Sequence, residues 1–221
     1  MQAEANVTSQ WPNRGFTRWA RGVAGAFLRR LLTWQQRNVW ECSLDREWTS
    51  SDWPNGERVE IIGRKQTVPP LLYQFLGGDK ACAELAGVRR GDLLFVVRDD
   101  AGYLACSYIF FDTTAATIRQ KRILLVASGT PVIGLSFTAP EARGRGIYKR
   151  LLNDMFRYLA AQGVASVVCE VDPHNTASNA ASRAVGMRLR RELTDCIFLR
   201  RLVIQKVREH GSSRWRWLVI S

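Results

Sequence analysis

Residues 136–148 read Ser-Phe-Thr-Ala-Pro-Glu-Ala-Arg-Gly-Arg-Gly-Ile-Tyr, and a long amphipathic segment follows them. The apolar run before this stretch predicts a strand that ends near Pro140, and the pattern after it predicts a helix over 147–162. The first backbone N–H groups of a helix have no acceptor within the helix and lie at the positive end of its dipole. A glycine-rich turn lets such amides close on an anion, so residues 143–148 predict a cradle for a diphosphate.

Two common phosphate-binding motifs do not fit this turn. The loop of nucleotide hydrolases ends in Gly-Lys-Ser/Thr, which is absent here, and the two glycines do not follow the GxGxxG pattern of dinucleotide-binding folds. Gly144 and Gly146 provide room for an anion, while Arg143 and Arg145 add positive charge. An ordinary solvated turn is the structural alternative, and it stays open at this point.

The segments around the turn predict a mixed α/β layer architecture. Several antiparallel strands precede the turn, and strands alternate with helices after it. Strands are predicted at residues 38–44, 57–62, 93–99, 103–111, 123–127, 132–140, 166–171 and 196–204. Besides the helix at 147–162, helices are predicted at residues 16–36, 79–86 and 176–185.

Two motifs in this order resemble those of the GCN5-related N-acetyltransferases, abbreviated GNAT. Residues 143–148, Arg-Gly-Arg-Gly-Ile-Tyr, are similar to the acyl-CoA signature of that family, Q/R-x-x-G-x-G/A, with Tyr148 at the final small position. Asn175, Ser178 and Gly186 are similar to a second element of the family, N-x-x-A/S followed by G-F, across the next helix.

The resemblance covers residues 93–204 and implies an α/β (α+β) fold. In this fold a mixed, mostly antiparallel central sheet carries helices on both faces, and an acyl-CoA cleft opens between two splayed parallel strands. We divide the chain accordingly into a basic amphipathic helical extension at 1–37, a GNAT-like acyltransferase domain at 38–205 and a basic, tryptophan-containing tail at 206–221.

The activity that the resemblance implies is that of an acyl-CoA-dependent N-acyltransferase, in which a primary amine attacks the thioester directly. Acetyl-CoA or another acyl-CoA is the expected co-substrate, and no metal is expected. The expected coenzyme contacts come from the strand, the turn and the next helix. They are Phe137, Thr138, Arg143, Gly144, Arg145, Gly146, Ile147, Tyr148, Asn175 and Ser178.

The catalytic candidates are Glu170, Tyr148 and Asp172. Glu170 and Asp172 fall on one face of the strand after the long helix, and Glu170 is the first candidate for the general base. The family often takes the proton for the leaving group from a tyrosine in the next helix, a position that Ser182 occupies here. Tyr148, Tyr108 or a water would replace it. Structural roles stay open too, with Glu170 paired to an arginine and Asp172 capping a helix.

The chain has 32 Lys and Arg against 20 Asp and Glu, a formal net charge of +12, so an anionic partner is expected. A small anionic amine, such as a nucleotide-linked amino sugar, would suit as the acceptor. The basic segment 16–36 would either pack on the domain or rest on an anionic membrane surface. Nucleic acid and a homodimer partner stay open. So does a second hypothesis, a catalytically degenerate GNAT-fold binding module.

The cysteines and the apolar runs indicate the compartment. Five widely spaced cysteines without a CxxC pair indicate reduced thiols, and two histidines exclude a site built on several of them. No apolar run approaches the roughly 18 residues that a spanning helix needs, and the first residues do not resemble a secretory signal. We therefore expect a cytoplasmic protein, peripheral at the membrane if the N-terminal helix is interfacial.

Overall fold

A computed structural model describes residues 32–63, 69–75, 92–111, 129–198, 202–209 and 212–219. The chain forms two compact units. The larger unit comprises residues 36–192 and 209–211, and the smaller one comprises residues 1–35, 193–208 and 212–221.

The described ranges contain strands, three α-helices and one 3-10 turn. In chain order they are β1 (Leu32–Ser43), β2 (Arg58–Ile62), α1 (Pro70–Phe75), β3 (Leu93–Arg98), β4 (Tyr103–Phe110), β5 (Val132–Thr138), α2 (Ile147–Ala161), β6 (Ser166–Val171), α3 (Thr176–Ala184), β7 (Arg188–Phe198), β8 (Leu202–Glu209) and β9 (Ser212–Val219). The 3-10 turn at Pro140–Ala142 lies between β5 and α2.

In the larger unit the strands lie in the order β2-β3-β4-β5-β6-β1, and the first part of β7 follows β1. Neighbouring strands are antiparallel from β2 to β5 and between β6 and β1, whereas β5 and β6 run parallel. The predicted mixed, mostly antiparallel sheet is therefore confirmed. The residues of β3 and β4 are buried almost without interruption, as is typical of strands that are covered on both faces.

Helices cover both faces of this sheet, as predicted. On one face α2 packs through a stripe of apolar residues that recur every three or four positions. These residues are Leu151, Leu152, Met155, Phe156 and Leu159, all fully buried. Phe95 of β3 belongs to the same cluster, whereas its neighbour Leu94 packs in a second cluster with Leu72 of α1. Successive side chains of a strand point to opposite faces, so α1 and α2 lie on opposite sides.

In the smaller unit the end of β7 and the strands β8 and β9 are neighbours in that order. Gln205 of β8 donates from Nε2 to Oδ1 of Asp195 in β7 at 2.9 Å, and both side chains are buried. Lys206 of β8 lies over the ring of Trp215 in β9, 5.3 Å from its centroid. A buried hydrogen bond to a carboxylate and a cation–π contact therefore connect the three strands.

Two predicted elements differ from the structure. The helix predicted over 16–36 is wrong for its last residues, because β1 begins at Leu32 and continues into the segment that pairs with β6. Pairing with a neighbouring strand overrides a short helical period. The single strand predicted over 196–204 is the end of β7 and the start of β8. The predicted elements at 79–86 and 123–127, and residues 1–31 of the extension, lie outside the described residues.

No helix in the described ranges is long and apolar enough to cross a membrane. No group of three or more His, Cys, Asp or Glu side chains in those ranges is arranged to hold a metal ion. Within the described residues four cysteines, Cys42, Cys106, Cys169 and Cys196, are buried and form no disulfide.

Candidate functional site

The parallel strands β5 and β6 separate soon after they meet. Their register is Val132 with Val168 and Ile133 with Cys169. Beyond that point β5 continues to Thr138 and β6 continues to Val171 without further pairing to each other. The divergence leaves backbone groups of both strands open to a ligand, which is the cleft that the sequence predicted.

A β-bulge in β5 lies at the point of divergence. Cys106 of β4 is opposite Phe137, but Tyr108 is opposite Gly134, so two residues of β5 face one residue of β4. The first bulged residue, Leu135, has a left-handed φ of 51°, a strain of about 1–3 kcal/mol for a residue with a side chain. Strain of this kind persists only where the surrounding structure fixes it.

The turn after β5 presents a row of backbone N–H groups. The N–H of Arg143 donates to the carbonyl of Pro140, and the next N–H with a backbone acceptor across the turn is that of Arg150, which donates to Gly146. Within the described part of the chain, the five N–H groups of residues 144–148 have no protein acceptor. Unpaired amides at a helix start bind anions.

Two glycines shape this turn because both have left-handed backbones. Gly144 has a φ of 77°, and Gly146, which is the N-cap residue of α2, has a φ of 73°. A Cβ placed on Gly144 would meet no atom within 4 Å, and one on Gly146 would come no closer than 3.5 Å, to Arg150 Nη1. The turn therefore faces open space rather than the protein interior.

The arginines of the turn do not all point toward that space. Arg143 donates from Nε to the carbonyl of Thr138 at 3.3 Å and is exposed. Arg145 donates from Nη2 to Oε1 of Glu57 at 2.5 Å, and Arg150 donates to Oε2 of the same carboxylate at 2.9 Å. The positive charge of the Arg145 side chain is thus paired with the carboxylate of Glu57. It accepts from guanidinium groups and not from the N–H groups of the turn, so those amides remain open.

Tyr148 lies where the two strands diverge. Its hydroxyl accepts a hydrogen bond from Oγ of Ser136 at 3.5 Å and lies 3.9 Å from Sγ of Cys169. Ser136 Oγ is also 2.7 Å from Oγ of Ser107 in β4. Burial, and next the neighbouring Cys169, raise the pKa of Tyr148 well above 10, so the hydroxyl keeps its proton.

Cys169 is a buried thiol and not a nucleophile. Burial raises its pKa from 9.0 to about 12, although the hydrogen bond with Tyr148 acts in the opposite direction. The thiolate form is therefore scarce at neutral pH.

The two carboxylate candidates lie close to the cleft but do not meet Tyr148. Glu170 follows Cys169, the last residue of β6 that pairs with β5, and by alternation its side chain points to the other face. It accepts from Nη1 of Arg37 at 2.5 Å, and both side chains are almost fully buried. Asp172 accepts from the backbone N–H of His174 at 2.8 Å, so it closes the turn after β6.

Asn175 and Ser178 form the N-terminal cap of α3. Oδ1 of Asn175 accepts from the N–H of Ser178 at 3.0 Å. Sequence reasoning missed Asn179, whose Nδ2 donates to the carbonyls of Asp172 and Asn175 while its Oδ1 accepts from Nε1 of Trp40 at 2.9 Å. Asn179 thereby connects the start of α3 to β1. A polar residue inside a short helix carries no sequence signal for such distant partners.

The other predicted contacts lie along the edge of β5. Phe137 is 37% exposed, and its ring packs edge-on against Phe75 of α1 with centroids 5.1 Å apart. The carbonyl of Thr138 accepts from Arg143, as described above. Ile147 is buried beneath the turn and belongs to the main core, so only its backbone N–H is open to a ligand.

Diverging parallel strands followed by a cradle of open amides define the fold class of acyl-coenzyme A acetyltransferases. The sequence model of the acetyltransferase (GNAT) family matches residues 66–187, which is more than half of the chain. The chain belongs to the GNAT family.

Solved structures with the same fold are distant in sequence. A Drosophila protein is similar at a TM-score of 0.52 and 15% identity over 82% of this chain and 57% of its own. A GNAT-family acetyltransferase from Colwellia psychrerythraea has a TM-score of 0.52 and 16% identity over 80% of this chain and 61% of its own. A GCN5-related N-acetyltransferase-like protein from Streptococcus suis has a TM-score of 0.50 and 14% identity over 92% of this chain and 69% of its own.

The chain thus spans less than two thirds of the Drosophila and Colwellia chains. At these identities the likeness concerns the fold alone. No curated protein matches the sequence.

Proposed function

We propose that this protein is an acyl-CoA-dependent N-acyltransferase, with acetyl-CoA as the expected acyl donor and a primary amine as the acceptor. The observation that carries the proposal is the row of five N–H groups at residues 144–148, which have no protein acceptor within the described part of the chain and lie in and just after an exposed turn at the start of α2. A diphosphate is the anion that suits a row of this length and polarity.

In the proposed complex the chain holds the coenzyme at two places. The N–H groups of residues 144–148 bind the diphosphate, and Arg143 supplies a nearby positive charge. The unpaired edge of β5, next to Phe137 and Thr138, binds the pantetheine arm. When it is bound, the coenzyme supplies the activated acyl group as a thioester.

The reaction transfers the acyl group in one displacement. The amine nitrogen forms a bond to the thioester carbonyl carbon, and the carbon–sulfur bond breaks. The nitrogen loses one proton, and the departing thiolate gains one. Most of the acceleration then comes from holding the two reactants in line, with acid and base groups contributing about 10²–10⁴-fold.

Tyr148 is the proposed donor of the proton to the thiolate. Its hydroxyl lies at the divergence of β5 and β6, in contact with Ser136 and Cys169. The raised pKa of Tyr148 supports this role, because the donor is protonated throughout the physiological range.

Glu170 is the proposed acceptor of the amine proton, directly or through a water, with Asp172 as the second candidate. The position of Glu170 just beyond the last paired residue of β6 supports the assignment. Its ion pair with Arg37 fixes the carboxylate on β6, and both side chains are almost fully buried.

For the acceptor we propose a small anionic amine, such as a nucleotide-linked amino sugar. The support is the net charge of +12, which favours an anion over a cationic substrate. The buried free thiols are in keeping with a cytoplasmic location.

The proposal is tested by calorimetry of CoA and acetyl-CoA with the whole chain, followed by a thiol-release assay over amino sugars, aminoacyl compounds and polyamines. We expect saturable coenzyme binding and thiol release with at least one amine. Absence of CoA binding would refute the proposal. Tight, salt-dependent RNA binding that CoA does not affect would instead support the binding-module hypothesis.

A further inference from the structure

A short strap crosses the helix that carries the amide cradle. The strap, residues 51–57, precedes β2 and is tied to the first half of α2. Ser51 donates from Oγ to the carbonyl of Arg150 at 2.9 Å and from its N–H to Oδ1 of Asp154 at 2.9 Å. Trp53 donates from Nε1 to Oδ2 of Asp154 at 2.7 Å. Asp154 is buried. This attachment uses Ser51 and Trp53 and does not involve Glu57 at the end of the strap.

The end of the strap is a tight turn that aims one carboxylate at the cradle. Asn55 and Gly56 both have left-handed backbones, with φ of 59° and 71°, and the N–H of Glu57 donates to the carbonyl of Pro54 at 3.1 Å. Two consecutive left-handed residues are characteristic of a type I′ turn. The side chain of Glu57 is 1% exposed.

Glu57 connects the strap to the turn that forms the cradle and to the first turns of α2. Its two oxygens accept from Arg145, which lies in the turn, and from Arg150, which lies in the first turns of α2. Arg150 also donates from Nη1 to the backbone carbonyl of Arg145 at 3.1 Å. One buried carboxylate thus fixes a side chain of the turn directly and holds a guanidinium on the turn's main chain.

We propose that Glu57 is a positioning residue for coenzyme binding, which holds the N–H groups of residues 144–148 in the arrangement that accepts a diphosphate. The inference rests on the proposed function, because the cradle is its object. Glu57 does not itself touch the coenzyme. It acts through Arg145 and Arg150.

Geometry and charge make opposite predictions when this carboxylate is neutralised. Loss of the negative charge makes the surroundings of the cradle more positive, which by itself strengthens the binding of an anion. In Glu57→Gln one of the two acceptor oxygens becomes an NH2 group, which cannot accept from a guanidinium. Loss of that bond loosens the turn, which weakens the binding. The sign of the change in affinity therefore distinguishes positioning from plain electrostatics.

The test compares Glu57→Gln with Glu60→Gln, which removes the same charge three residues away in β2. Glu60 is partly exposed, and its Oε1 lies 3.8 Å from Nε of Arg58 and 3.5 Å from Nη1 of Arg98, so its ion pairs involve neither Arg145 nor Arg150. In calorimetry with CoA we expect Glu57→Gln to bind about tenfold more weakly or worse, and Glu60→Gln to bind as the wild type does. Equal or tighter binding by Glu57→Gln would overturn the inference.

A second comparison excludes a general loss of structure. S-Acetylpantetheine lacks the diphosphate and would contact only the cleft. We expect its affinity, measured by competition with acetyl-CoA, to differ less than twofold between Glu57→Gln and the wild type, roughly the noise of such a measurement. An equal loss for both ligands would mean that Glu57 supports the whole fold, and would overturn the positioning role.

Failure of the proposed function is distinguishable from failure of this inference. If the wild type binds no CoA, the proposed function is refuted, and amide hydrogen exchange of the coenzyme-free proteins then decides the role of Glu57. Faster exchange of the Arg150 N–H, which donates to the carbonyl of Gly146, with the later turns of α2 unchanged, would support positioning. Unchanged exchange of that N–H in Glu57→Gln would overturn it.

Discussion

At the scale of single residues, the position of Gly146 must meet two conditions, a left-handed backbone and an N–H group available to an anion. Its φ of 73° is unfavourable for any residue with a Cβ, and its N–H belongs to the row of amides that faces free space. A carboxylate at this position would also place a negative charge where the diphosphate should bind.

For Gly146→Asp we expect the affinity for CoA to fall about 100-fold or more, because the variant combines like-charge repulsion with a shifted backbone. Calorimetry measures the loss. Gly163→Asp is the matched control, since Gly163 follows the other end of α2 with a φ of 75° and no atom near its Cβ position. Similar losses for both variants would contradict the assignment of the cradle.

For Tyr148→Phe we expect turnover to fall about 10²-fold while the affinity for acetyl-CoA stays within twofold. The control is Tyr158→Phe, a tyrosine of the same helix whose ring packs on Phe95. The pH dependence has a definite sign. Because the pKa of Tyr148 is raised above 10, the donor is lost only at higher pH, and a fall in rate below pH 10 must come from another group. An unchanged turnover in Tyr148→Phe would remove it as the donor.

Glu170→Gln should slow turnover at saturating acyl-CoA about 10²-fold, because an amide cannot accept the amine proton. The variant also weakens a buried ion pair with Arg37, so rates are compared per folded molecule, with the folded fraction taken from urea denaturation. Glu41→Gln, which breaks the more exposed pair with Arg190, serves as the control. A wild-type rate in Glu170→Gln would leave the residue with a purely structural role.

At the scale of elements, the passage from β5 through the turn into α2 is predictable because its determinants are local. Two glycines of the turn, the apolar stripe of α2 and Gly163, which follows the end of that helix, all lie within one continuous segment. The sheet partners of β5 also follow, since hairpins and strand–helix–strand units have few topologies. The amide cradle was accordingly visible in the sequence as a pattern.

The contacts that position this segment are not predictable in the same way. Glu57 is 88 residues away from Arg145, and Asn38 is 141 residues away from Asn179. No periodicity connects such pairs, and in a chain with 32 basic residues any acid has many candidate partners. The sequence suggested that Arg145 adds charge to the cradle, whereas the structure pairs its side chain with Glu57.

At the scale of the whole molecule, the net charge of +12 and the basic N-terminal segment leave the membrane as an open partner. The start of β1 at Leu32 defines how this question can be tested. Deletion of residues 1–37 would remove part of β1 and Arg37, the partner of Glu170. Deletion of residues 1–31 leaves both in place.

We expect the chain without residues 1–31 to sediment with vesicles of anionic lipid to the same extent as the full chain. The reason is that Gly22 and Gly25 weaken an isolated helix, so packing on the protein is favoured over insertion at the interface. Neutral vesicles give the background. If the full chain sedimented with the anionic vesicles and the chain without residues 1–31 did not, residues 1–31 would instead be established as the membrane-binding segment.

The tight turn at Asn55 and Gly56 has a consequence for stored protein. Asparagine is among the heat-labile residues. When glycine follows it, as Gly56 follows Asn55, the backbone nitrogen of the glycine reaches the amide carbon of the asparagine side chain with least steric hindrance. Conversion to isoaspartate would lengthen the main chain by one carbon at position 55, two residues before Glu57, and would add a carboxylate there. An ageing sample would then lose affinity for the coenzyme well before it unfolds, through a site that the coenzyme never touches.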